Sequence, residues 1–340
     1  MINENDIKQE VKVIQDRDYA LFASGSDCLG GASKKDKAPK LKEKGVDPLV
    51  KVVFQIPEQL GSSLATFAGQ DAIALIDVNV GALKFLDNEN KVGEVVFVGA
   101  ISDGMSIGTG VGATTLEENA LTARVLVTQF VQAFSEQSGQ KPEYLPDVFV
   151  KLFNTTVDKT YSGQSSRKGE ATLTFAAIAK KQDGSRRVIV CEQGDSPAYV
   201  MGINKKGGFE LIKFSRENTV AARKMENIQG NTFVGQAAAT QYEKALAVEQ
   251  QKLGDIGAVL TSDARQHIKQ EDVLVFGVPT SLRDSHLLYG SDCLEKLGED
   301  LKKICEASIR SNPDRLPNEI MKALLAADAD DNTFAVKKID

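Results

Sequence analysis

The chain has no tryptophan and only two histidines, His267 and His286, in 340 residues. That scarcity excludes chemistry built on clustered imidazoles, including a His-rich zinc or di-iron centre. The four cysteines, Cys28, Cys191, Cys293 and Cys305, stand far apart with no CxxC pair. Neither a zinc site nor a disulfide framework is signalled, and buried, reduced thiols are expected. No apolar run approaches the ~20 residues of a membrane span. The opening MINENDIKQEVKVIQ lacks the apolar stretch of a signal peptide. Positive charge is in deficit, 41 Lys+Arg against 47 Asp+Glu for a net charge of −6, which argues against nucleic-acid binding through a basic surface. A cytoplasmic protein is expected, with no membrane and no nucleic acid among its partners. Secretion without a cleaved signal stays open, and the oligomeric state is unspecified.

What is present is globular material: 42% hydrophobic and 26% charged residues, enough apolar content to build a core. With no internal repeat and no convincing linker, residues 1–340 read as one domain. It carries a Lys-rich insertion at 30–45, read as a solvated loop, and an irregular, flap-like segment at 215–252. Strands are expected at 11–14, 19–23, 49–56, 71–78 and 94–102. The last runs into SDGMSIGTGVGATT, where Thr114 and Glu117 have capping-box spacing before a helix whose apolar face includes Leu121, Val125, Phe130, Val131 and Phe134. A second helix follows near 145–157. Four strands, at 171–180, 187–193, 197–203 and 209–214, then read as an antiparallel meander, with further short strands at 256–261 and 273–278. A helix bearing Leu294, Leu297, Leu301, Ile304 and Cys305 ends at Asn312-Pro313, another spans 318–326, and 333–339 closes the chain as a strand. Strands interleaved with helix pairs favour an α+β sandwich over a doubly wound parallel sheet.

Two features carry candidate chemistry. Gly104, Gly108, Gly110 and Gly112 lie between a strand and a helix, the setting of a phosphate-cradling loop. No Gly-Lys-Ser/Thr follows, and GTGVGA alone is a weak dinucleotide signal. The second feature is a set of aspartates at strand ends: Asp71, Asp103, Asp195, Asp263, and the pair Asp330 and Asp331. Each alone fits a turn or cap. Together, if the strand ends converge, their carboxylates repel unless cations lie between them. Carboxylates suit Mg²⁺ or Mn²⁺, and two such ions ~3.5–4 Å apart can bind a phosphate and activate a water.

The order and contexts of these residues resemble the metal-dependent protein phosphatases, the PPM or type 2C family, in a divergent form. GQDA (69–72), VGAISDGMS (98–106), GEATLTFAAIA (169–179), VIVCEQGDSPAYV (188–200), Gly235-Gln236, LGDIGAVLTSDA (253–264) and ADDNTFAV (329–336) resemble that family's motifs in the correct order across roughly residues 70–340. The resemblance implies a four-layer αββα sandwich, with two packed antiparallel sheets flanked by helix pairs. It implies hydrolysis of phosphoserine and phosphothreonine in phosphoprotein substrates by water activated at a binuclear Mg²⁺/Mn²⁺ centre. It also implies roles. Asp103 bridges two ions and Gly104 contributes its carbonyl. Asp263 and Asp331 hold one ion, with Asp330 the alternative to Asp331. Asp71 serves the other ion, and Asp195 helps hold a third in bacterial members. The segment 215–252 lies where the family carries its flap, which implies a part in substrate choice. The chain departs from the pattern at Thr66, where the family has a phosphate-gripping arginine, and at Ser106-Ile107, Pro197 and Ala264. These departures motivate the alternative of a catalytically weak or inactive scaffold or regulatory binding protein.

Overall fold

The computed structural model describes residues 7–10, 19–24, 27–34, 36–104, 114–162, 169–215, 267–327 and 331–339. Their strands form two antiparallel sheets. The larger runs β1 (Ile7–Glu10), β4 (Leu49–Phe54), β5 (Gly61–Ala68), β6 (Asp71–Val78), β8 (Val92–Ser102), β10 (Leu173–Lys181), β11 (Arg186–Gln193) and β14 (Val273–Gly277). The short strands β7 (Lys84–Leu86) and β9 (Glu143–Tyr144) extend it beside β8. The smaller sheet runs β13 (Phe209–Lys213), β12 (Ala198–Ile203), β15 (Arg283–Gly290), β16 (Asn332–Lys338), β3 (Asp27–Ala32) and β2 (Tyr19–Ser24).

The side-chain period of two along each strand explains the layers. On β11, Val188 and Val190 face the other sheet, where they join Ile73, Phe97, Leu29, Val200 and Tyr289 in a buried core. The intervening Ile189 and Cys191 face outward, onto helices. There α2 (Leu116–Gln137) and α3 (Leu145–Tyr161) cover the larger sheet, with Phe175 between Phe130 and Phe153 at ring-centroid distances of 4.8 and 5.1 Å. On the opposite side α4 (Gly298–Ser311) and α5 (Leu316–Ala326) lay Leu301, Ile309, Ile320 and Leu324 over Met201, Leu288 and Phe334 of the smaller sheet. The result is the expected αββα sandwich. Gly99 permits the sheets to close at one point, since a Cβ there would lie 1.7 Å from the Tyr289 hydroxyl.

Several local expectations need correction. The capping box is one residue later than expected: Thr115 Oγ1 accepts from the Glu118 N–H at 3.1 Å, and Glu118 Oε2 accepts from the Thr115 N–H at 2.8 Å. Leu121 is exposed on α2 instead of facing its core. The strands at 171–214 are not one meander, because β11 and β12 belong to different sheets and the turn between them crosses the sandwich. The Lys-rich stretch is not simply a solvated loop: its start completes β3, and a short helix, α1 (Ala38–Glu43), buries Ala38 and Leu41. Residues 11–14, the glycines at 108–112, the strand expected at 256–261 and nearly all of the flap-like segment fall outside the described residues. All four cysteines are buried and none forms a disulfide. No described helix is long and apolar enough to cross a membrane.

Candidate metal centre

Four of the candidate aspartates, Asp71, Asp103, Asp195 and Asp331, lie near one another where strands of both sheets end at one rim of the sandwich. Asp71 opens β6 after a two-residue hairpin turn, with Ala68 paired to Asp71 across it. Gly69 takes φ +60° there, as a primed hairpin turn requires. Asp103 follows the last residue of β8. Its backbone is pinned by Thr172, whose hydroxyl accepts the Asp103 N–H at 3.0 Å and whose own N–H donates to the Asp103 carbonyl at 2.8 Å. Gly104 continues this pairing through a bridge to Ala171 and donates its N–H to the Gln70 carbonyl at 3.2 Å. A Cβ on Gly104 would lie 2.8 Å from that carbonyl oxygen and 2.9 Å from the Asn119 carbonyl oxygen, so the approach needs glycine.

Asp195 lies in the crossing from β11 to β12, after Gly194 at φ +139°. Asp331 immediately precedes β16. Its Oδ1 accepts the Lys34 N–H at 2.7 Å and the Ser33 hydroxyl at 3.4 Å. Its Oδ2 accepts the Gln70 N–H at 2.9 Å and lies 3.4 Å from the Lys37 ammonium. A Cβ on Gly69 would fall 2.0 Å from the Asp331 carboxyl carbon, so the hairpin turn is moulded around that carboxylate. Asp263 and Asp330 are outside the described residues.

Electrostatics bind these positions into one cluster. Asp71 is raised well above the ordinary carboxyl range, first by burial, then by the charges of Asp103 and Asp331 and a hydrogen bond with Asp103, against a hydrogen bond with Ser291. Asp103 is raised too, by desolvation and by the charges of Asp292 and Asp195; the bond to Asp71 and the Lys37 charge oppose it.

Asp292 is the residue sequence reasoning missed. It follows β15 in Tyr289-Gly290-Ser291-Asp292 and opens a short 3₁₀ turn over Asp292–Leu297. β15 lies between β12 and β16, the strands that carry Asp195 and Asp331 at their starts. A signal was available: a Ser-Asp pair after an apolar strand end, the pattern that drew attention to Asp263 in LTSDA.

The cations are also informative. Thr66 is fully buried, its methyl against Gly31 of the facing sheet, so that position offers no charge at the rim. Arg124 of α2 donates to the Asp47 carbonyl at 2.5 Å and the Gly69 carbonyl at 3.5 Å, and lies over the Phe67 ring at 5.3 Å. Burial lowers its pKa to about 10 against the charges of Asp47 and Asp331. It braces the turn from below. Lys37, from the Lys-rich stretch, reaches the cluster itself: its side chain is 12% exposed and donates to Gln70 Oε1 at 2.7 Å.

The donor set fits a hard divalent ion in kind. It is all carboxylate oxygen, and two of its members are driven toward protonation first by burial and then by the negative charge around them. As the side chains stand, Asp71 and Asp103 bond each other and Asp331 bonds the chain. No group of three or more Asp, Glu, His or Cys among the described residues is arranged to hold an ion.

Neither a protein-family model nor a curated protein matches the chain. Solved structures do. A bacterial serine phosphatase aligns at 14% identity over 80% of this chain and 92% of its own, with a TM-score of 0.50. The serine/threonine phosphatase of S. agalactiae aligns at 17% identity over 86% and 98%, with a TM-score of 0.49. The PPM Ser-Thr phosphatase MsPP from Mycobacterium smegmatis, crystallised with cacodylate, aligns at 17% over 85% and 96%, with a TM-score of 0.45. The chain therefore shares the fold of the bacterial serine phosphatase.

Proposed function

We propose that the protein is a divalent-metal-dependent phosphatase acting on phosphoserine and phosphothreonine in protein substrates. The observation that carries the reading is the gathering of Asp71, Asp103, Asp195, Asp292 and Asp331 at one rim of a phosphatase fold. Two of its members, Asp71 and Asp331, are buried, and buried carboxylates of like sign are costly without a cation, which supports an ion at this rim. The proposed ligand positions are Asp71, Asp103, the Gly104 carbonyl, Asp195 and Asp331. The role that the sequence resemblance gave to Asp263 is assigned to Asp292, because β15 delivers it between the strands of Asp195 and Asp331. Mg²⁺ or Mn²⁺ bound there, as a pair with a third near Asp195, would supply Lewis-acid polarisation of the phosphate and a more acidic water.

The chain's own residues do the rest. Asp71 and Asp103 hold a proton between them that ion binding displaces. Thr172 and the Gly104–Ala171 bridge fix Asp103 relative to Asp71. Arg124 keeps the 69–70 turn, and so Asp71, in place. The Thr333 hydroxyl, 3.4 Å from Asp71 Oδ2, orients that carboxyl.

A second reading, a catalytically weak scaffold, is favoured by the protein donors already crowding Asp331 and by the buried Thr66. Hydrolysis of an aryl phosphate and a phosphopeptide with added Mn²⁺ separates the two. Activity lost in Asp103→Ala supports the phosphatase; rates equal to that variant's support the scaffold.

A further inference from the structure

The negative charge of Asp331 is answered by the chain itself. An ionised carboxylate offers about four lone-pair positions. Among the described residues four donors face them: the Lys34 and Gln70 backbone N–H groups, the Ser33 hydroxyl and the Lys37 ammonium. The first three are tied to the backbone or to a one-carbon stem, and the turn at Gly69 wedges the carboxylate against them. Lys37 differs. Its ammonium ends a flexible four-carbon stem, keeps some contact with solvent, and reaches Asp331 at 3.4 Å, longer than its 2.7 Å bond to Gln70. Its charge also favours the ionised form of Asp103, so it acts on the cluster and not on Asp331 alone.

We propose that Lys37 is a tethered counter-ion that competes with a divalent ion for Asp331. The ammonium neutralises this carboxylate in the metal-free protein. An ion engaging Asp331 Oδ2 has to displace a donor, and of the two described there, the Gln70 N–H and the Lys37 ammonium, only Lys37 can leave without moving backbone. Two cations on one carboxylate repel, so occupancy by the ion and by the ammonium is mutually exclusive at Oδ2. The inference rests on the metal-dependent reading above. It adds that this chain holds its own metal affinity down and stabilises its metal-free state with the same residue.

Calorimetric titration of the full chain with Mn²⁺, together with thermal unfolding of the metal-free protein, tests it. Lys37→Met keeps the stem and removes the charge; Lys37→Gln is a second uncharged variant, and Lys37→Arg retains the charge. Both uncharged variants are expected to bind Mn²⁺ roughly tenfold more tightly than wild type, at the cost of a lower metal-free melting temperature. Lys37→Arg is expected to bind close to the wild-type affinity. A purely structural lysine would also lower the melting temperature on removal, but would leave Mn²⁺ binding equal or weaker; that result overturns the proposal while leaving the metal reading intact. Absence of Mn²⁺ binding in wild type and variants alike overturns both. Binding by the uncharged variants where wild type shows none supports the proposal in its strongest form.

Discussion

Asp71 and Asp103, 32 positions apart in sequence, share one hydrogen bond at the ends of the neighbouring strands β6 and β8. Two carboxyls can do this only with a proton between them, and burial plus the charges of Asp331, Asp292 and Asp195 hold it there. Burial and the surrounding charge thus favour the protonated form of this pair.

This pairing has a pH signature. A carboxyl whose folded pKa lies above its unfolded value binds protons more tightly in the native state. Its stabilisation is complete below the unfolded pKa and is lost as pH rises through the folded pKa. For Asp71 and Asp103 that loss begins above the ordinary carboxyl value of 3.8. Asp71→Asn removes the titrating charge and should raise the metal-free melting temperature at pH 7 by on the order of 2 °C. The difference should shrink toward pH 4, and calorimetric scans at both pH values check it.

Gly69 is required twice, by its φ of +60° and by the Asp331 carboxylate, 2.0 Å from where a Cβ would stand. Gly69→Ala should cost about 1–3 kcal/mol in urea unfolding. It should also weaken Mn²⁺ binding, because the turn sets both Asp71 and the Gln70 N–H that holds Asp331.

Asp292 and Asp263 make opposite predictions. Asp292→Asn should weaken Mn²⁺ binding roughly 10–100-fold, whereas Asp263→Asn should leave it within about twofold. Titration of the two variants side by side decides which Ser-Asp pair serves the site.

Arg124 braces the turn through two carbonyls and an aromatic face. Arg124→Met should destabilise the fold by about 2 kcal/mol, since bonds to a charged donor are lost. Arg124→Lys should restore little, because an ammonium lacks the planar face that lies over the Phe67 ring. Chemical denaturation of both variants gives the comparison.

Much of the architecture was legible in the sequence because strands buried on both faces advertise themselves. DAIALIDV and EVVFVGAIS could be little else, and they become β6 and β8 with the expected aspartates at their ends. β15 was not legible. It starts Arg283-Asp284-Ser285-His286, polar enough to read as a loop, although Ser285 and His286 are buried. Missing that strand hid Asp292, and attention fell on the earlier Ser-Asp at 262–263, which lies outside the described residues. The change of sheet between β11 and β12 was hidden as well, since alternation reports that a strand is buried and not which sheet it joins. Lys37 was misread because a run of six lysines predicts solvent exposure on average. Lys37 turns inward because of tertiary charge, to which local composition is blind.

The most direct test is anomalous diffraction from a crystal soaked in Mn²⁺. The account predicts density among Asp71, Asp103, Asp195 and Asp292, with the Asp71–Asp103 hydrogen bond broken and both carboxyls turned to the ion. Soaked crystals in which those two carboxyls still share their proton, with no manganese at the rim, would contradict it.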